Sequence, residues 1–197
     1  MIIRRIFASA ALGVIVTVTL FSLFVYAGGK EANHGERSIP YKIMHMGDYR
    51  VFLENWDESS TPVLCAVISK PAHYNDLFHP APVMYSRRPF SPDESLYNRE
   101  IILIVGRIVP YPENVDRVFD VDRITEKKQE LSLHYRFNEQ HSDAKWQGKI
   151  CLAIRIPKHN YKKVHFFENG RKVGELNPTA GRWLYPERRS EPGSMRD

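Results

Sequence analysis

Residues 100–109 read Glu-Ile-Ile-Leu-Ile-Val-Gly-Arg-Ile-Val, an almost wholly apolar run closed by Pro110 and Pro112. A β-branched run of this length is a central strand buried on both faces. The prolines end it because they bring no N–H to a ladder. On its C-terminal side, residues 115–125 and 130–137 flank the polar turn Glu126-Lys127-Lys128-Gln129. Leu131, Leu133, Tyr135 and Phe137 alternate there with Ser132, His134 and Arg136, so one face of that strand is wet. Residues 149–156 repeat the alternation, with Ile150, Leu152, Ile154 and Ile156 on the core side and Cys151, Ala153 and Arg155 opposite. Asn169-Gly170 then joins residues 163–168 to 171–176, and this pair favours a type I′ turn because both central positions need positive φ.

On the N-terminal side, residues 63–69 form another strand, and residues 41–46 and 49–54 read as a hairpin turning at Gly47-Asp48. Short helices are expected within 93–98 or 138–146. Turn signals about every ten residues, and no long amphipathic helix, give a mainly β fold. It is an antiparallel β-sandwich or open barrel of about eight or nine strands.

The chain has 197 residues, 43% apolar and 26% charged, with 13 Pro and 11 Gly, which excludes collagen-like and fully disordered classes. Residues 28–197 carry 26 Lys+Arg against 23 Asp+Glu, an excess of three that is too small to imply nucleic acid. Residues 6–27 form a 22-residue stretch without a charge, behind Arg4 and Arg5. As a helix it spans roughly 33 Å, enough for a bilayer core. The basic pair keeps the N-terminus in the cytoplasm and sends the rest out. Val25-Tyr26-Ala27 also permits cleavage as a signal peptide after Ala27, giving a secreted or periplasmic product, but the apolar run is longer than a signal core and favours an uncleaved anchor. The expected organisation is therefore an anchor at 1–27, a Gly-rich charged tether at 28–38, an exported β-rich domain at 39–177, and a loosely ordered tail at 178–197.

No G-x-S-x-G elbow and no phosphate-binding glycine loop occurs. No cofactor is expected. Cys65 and Cys151, the two cysteines, either form a disulfide across strands or are buried free thiols. Met44-His45-Met46 has soft-metal ligand types, yet strand alternation puts His45 opposite the two methionines, which read as core. His73, Asp76 and His79 match no zinc spacing, and Asp116, Asp120 and Asp122 match no calcium loop. No metal is expected.

Residues 71–99 form a long connection with five prolines. Such loops are usually functional or disordered. Tyr74, Phe78, Tyr85, Arg87, Arg88, Phe90 and Tyr97 have the ring and guanidinium chemistry of interface centres, and are the expected partner-binding residues. The alternative is that the rings pin the connection over an open end of the fold. The expected function is that of a membrane-anchored extracytoplasmic domain, held in the lipid bilayer by residues 6–27 and acting as a binding or accessory subunit for a protein partner in an envelope complex. The competing classes are an exported hydrolase or redox enzyme with a site built from separate loops, and a structural subunit of a membrane assembly.

Overall fold

A computed structural model describes residues 35–53, 61–82 and 86–186, within a unit that begins at Gly35. In chain order the strands are β1 (Arg37–Ser38), β2 (Lys42–Met44), β3 (Val51–Leu53), β4 (Val63–Ile68), β5 (Phe78–Pro80) and β6 (Glu100–Pro110). They continue with β7 (Phe119–Lys127), β8 (Glu130–Phe137), β9 (Gln147–Pro157), β10 (Lys163–Glu168), β11 (Arg171–Leu176) and β12 (Leu184–Tyr185). Two short helices, α1 (Pro71–Leu77) and α2 (Leu96–Arg99), lie between them.

One five-stranded sheet has the order β1-β7-β8-β10-β11, and the other β12-β4-β6-β9-β2. All pairs in them are antiparallel except β8 with β10. The exception has a simple cause: β9 lies between them in the chain but belongs to the other sheet, and two reversals restore the original direction. The mainly β sandwich expected from the sequence is therefore present, with twelve strands among the described residues in place of the expected eight or nine.

Period two assigns the faces. Leu103 and Val105 of β6, Leu152 and Ile154 of β9, and Leu133 and Phe166 from the opposing sheet fill the core between the sheets. Cys151 and Ala153 turn the other way, as the alternation requires, yet Ala153 is buried and Cys151 half-buried. They pack on a second core that contains Ile102, Ile104, Leu64 and Ile68. The cover for this face comes from α1, α2 and the separate β3–β5 pair, which contribute Leu53, Tyr74, Leu77, Phe78 and Tyr97. Each large side chain so enclosed is worth about 1.5–3 kcal/mol.

Four sequence expectations need correction. Residues 41–54 are not a hairpin: β2 pairs with β9, β3 pairs with β5, and a 3₁₀ turn at Met46–Asp48 separates them. Residues 71–99 are not a bare loop, because the exposed face of the β6 sheet recruits them as its cover. Arg37–Ser38 leaves the expected tether and pairs with β7. Leu184–Tyr185 leaves the expected tail and pairs with β4. Of the two possible helices, the first forms as α2, and residues 138–146 are irregular. Among the described residues no helix is long and apolar enough to cross a membrane; the apolar run at 6–27 and the tail beyond 186 lie outside them.

The β10–β11 turn has Asn169 at φ 49° and Gly170 at φ 80°, the type I′ geometry that the dipeptide favours. The β7–β8 turn asks the same of Lys128 at 51° and Gln129 at 66°, side chains that pay a steric penalty there. Replacing Lys128-Gln129 by Asn-Gly should raise the unfolding free energy by about 1 kcal/mol in urea titrations. In the same assay Ile154→Ala, which opens a cavity in the inter-sheet core, should lose about 2–5 kcal/mol. Arg155→Ala breaks a part-exposed pair with Glu100 and should lose about 1 kcal/mol or less.

Candidate functional site

The groove at the end of β2 arises from a mismatch of strand lengths. β9 runs from Gln147 to Pro157, but β2 covers only Ala153 to Arg155 before the chain turns away at His45. The space beyond is a groove of about 500 Å³, walled by residues 43–48 on one side, by Val115, Asp116 and Phe119 on another, and floored by Cys151, Leu152 and Ala153 of β9. Its rim is polar. His45 Nδ1 stands 4.0 Å from Asp116 Oδ1, with both side chains mostly exposed, at 66% and 80%. Arg88 closes one end, where its Nη1 donates to the Gly47 carbonyl at 2.5 Å.

Arg88 belongs to the 71–99 segment, and the way this segment is held decides what it offers. Arg50 is the clamp. Its amide donates to the Pro89 carbonyl at 2.9 Å and its carbonyl accepts from the Ala81 amide at 2.8 Å. Its Nε donates to the Arg88 carbonyl at 2.6 Å. Its guanidinium lies 4.1 Å from the Phe90 ring centroid, a cation–π contact. Phe90 and Arg88 thus have partners within the domain, while Arg87 is exposed. Tyr74, Phe78 and Tyr97 are 1%, 2% and 4% exposed and belong to the second core, so they cannot face a partner. Tyr85 lies outside the described residues. Of the seven expected partner-binding residues, the structure places Arg88 at the groove, while Phe90 packs on Arg50 and Arg87 is exposed.

Sequence reasoning missed the groove itself. Ile43, Val115 and Phe119 gave no local signal, because the edge of β9 joins segments some seventy residues apart.

The cysteines are two free thiols. The β4–β6–β9 registers place Cys65 beside Val105, and Cys151 beside Gly106, one residue on. They therefore lie on opposite faces of one sheet, and the possible disulfide between them is excluded by direction. Burial pushes the Cys151 thiol up to about 12 and raises that of Cys65 further, with the Glu168 carboxylate adding to the rise. Both stay protonated at neutral pH. Cys65 also needs Gly174 opposite it, since a Cβ there would lie 2.8 Å from its sulfur.

Other candidates resolve into structural roles. His73 stacks on Trp183 at 4.3 Å and His79 on Phe52 at 5.7 Å, so the two histidines diverge. Asp120 and Asp122 both reach Arg136, at 3.7 and 3.0 Å, on the outer face of the first sheet. Among the described residues no group of three or more His, Cys, Asp or Glu is arranged to hold a metal. Among the described residues Glu168 is the buried carboxylate; both guanidinium arms of the part-buried Arg107 pair with it, and the Tyr135 hydroxyl donates to its Oε2 at 3.1 Å. The three groups satisfy one another. The Tyr74 and Tyr97 hydroxyls are buried without a partner, and desolvation raises both.

Comparison of the chain with family models, curated proteins and solved structures finds no match.

Two outcomes follow from these contacts. At pH 8 iodoacetamide should label Cys151 on the order of a hundredfold or more slower than a free cysteine, because so little thiolate exists; mass spectrometry against a urea-unfolded control measures this. Arg50→Ala should release residues 86–90, which limited trypsin digestion would report as faster cleavage after Arg87, with the thermal midpoint lowered by only a few degrees.

Proposed function

We propose that the chain is a membrane-anchored extracytoplasmic binding domain, an accessory subunit of an envelope complex, and that it receives a protein partner at the groove beyond β2. The observation that carries this reading is the groove's surface chemistry. Ile43 and Val115 keep 50% and 38% of their surface in water on opposite walls, an apolar pair ringed by His45, Asp48, Arg88 and Asp116. Apolar centres with a polar rim are what transient interfaces use. Catalysis has less support: the His45–Asp116 pair is open to solvent, and the thiol on the floor is protonated. Support for the anchor is the uncharged run at 6–27 behind Arg4 and Arg5.

The test is affinity purification of the full chain from membranes in mild detergent. Ile43→Asp with Val115→Asp should release the co-purifying protein and leave the thermal midpoint within about 3 °C, since neither side chain is core. A partner that stays bound to this variant would remove the groove from the reading. A C-terminal alkaline phosphatase fusion that stays inactive would remove the extracytoplasmic address.

A further inference from the structure

We propose that Met44, Met46 and Cys151 form a binding site for a soft monovalent metal ion, copper(I). Shared packing makes the case. Met44 pairs with Ala153 at the end of β2, and the 3₁₀ turn that follows opens with Met46. Period two puts Cys151 and Ala153 on one face of β9. Met44 lies in the second core while Met46 and Cys151 pack against it. All three border the groove beyond β2. Two thioethers and a thiol, from β2, the turn after it and β9, thus line one groove. His45, whose ring faces Asp116, is not needed as a ligand.

The ligand set selects the ion. Thioethers and thiolate are soft donors that suit copper(I), whereas zinc and the hard dications take imidazole, carboxylate or several thiolates. Charge selects it again. Copper(I) displaces the thiol proton, so a copper–sulfur bond forms, an S–H bond breaks, one proton leaves to water, and no oxidation state changes. The copper–thiolate unit is neutral. A neutral unit fits a mostly apolar wall, where a divalent ion on the same ligands would leave a net charge. The Tyr74 hydroxyl is an independent pointer: it is buried without a hydrogen-bond partner, in the same cluster that contains Met44 and against which Met46 and Cys151 pack. It is therefore a donor available to a metal-bound sulfur, as outer-shell groups are at other metal sites. This inference does not depend on a protein partner or on the export of the domain.

The test is an anaerobic titration of the full chain with copper(I) in competition with a chromophoric copper(I) chelator, with X-ray absorption on the loaded protein. The expected result is one tightly held ion per chain in a sulfur-dominated shell. Outer-shell changes alone weaken metal sites by about 10–100-fold, so Cys151→Ser, and separately Met44→Leu with Met46→Leu, should each weaken binding by at least that. The leucine pair nearly conserves volume and should leave the circular dichroism and thermal midpoint close to those of the unaltered chain, so its loss of affinity reports ligands and not folding. Cys151→Ala serves in place of the serine variant if the latter fails to fold. Binding that survives both variants, a shell of nitrogen and oxygen donors, or loss on His45→Ala alone would overturn the proposal.

Discussion

The burial of β6 on both faces is the constraint from which the rest follows. Residues 101 to 106 of this strand are all buried, and a single opposing sheet can cover only one side. The five-stranded sheet built around β7, β8 and β10 covers one face. The other would present Ile102, Ile104, Leu64 and Ile68 to water if α1, α2 and the β3–β5 pair did not fold back over it. At about 25 cal/mol per Å² of apolar surface, leaving that face open would cost more than ordering a short helix and a two-stranded ribbon. Tyr74, Phe78 and Tyr97 are thus claimed by the domain before any partner can use them.

That competition explains which features were legible in the sequence. Alternation within single strands was readable, and the faces of Ile150, Leu152, Ile154 and Ile156 follow it without exception. The Asn169-Gly170 turn was readable because its chemistry is local. What failed was pairing. Residues 41–54 contain two strands and a turn-like dipeptide, but β2 finds a better neighbour in β9 and β3 in β5, choices made by segments a hundred and about thirty residues away. Tyr74, Phe78 and Tyr97 have the composition of an interface, and composition does not distinguish an interface from a lid over the protein's own sheet. The direction of Cys65 relative to Cys151 needed the register of three strands, which no spacing within the chain encodes.

The Arg107–Glu168 pair belongs to the same class. Its parity was available: Arg107 continues the inward positions of Ile101, Leu103 and Val105, and Glu168 those of Val164 and Phe166. Two opposite charges on inward faces imply a pair only if the two sheets align at that level. The alignment closes one end of the inter-sheet core, where the Tyr135 hydroxyl occupies part of the carboxylate's remaining capacity. A pair like this adds little net stability over apolar residues of the same volume, but removing one partner strands a buried charge at a cost of roughly 3–5 kcal/mol. Its physical effect is to penalise any slip of one sheet against the other, since sliding would carry the carboxylate away from the guanidinium and leave both charges without their partner.

The groove is the complement of that rigidity. With both faces of the central sheet covered, the edge of β9 is one place where the fold leaves apolar side chains, Ile43 and Val115, near water. β2 is three residues long against eleven for β9, and it ends where Met46 begins a 3₁₀ turn. Had β2 continued, Met46 would be an ordinary cross-strand neighbour of Cys151 and the wall would be closed sheet. Because it stops, the side chains that strand alternation had assigned to the second core lie at its margin, half-buried and reachable. A site built there has backbone on β9 fixed by the β6 ladder and a second wall in the 45–48 turn, which its own 3₁₀ hydrogen bonds and the Arg88 contact to the Gly47 carbonyl hold in place.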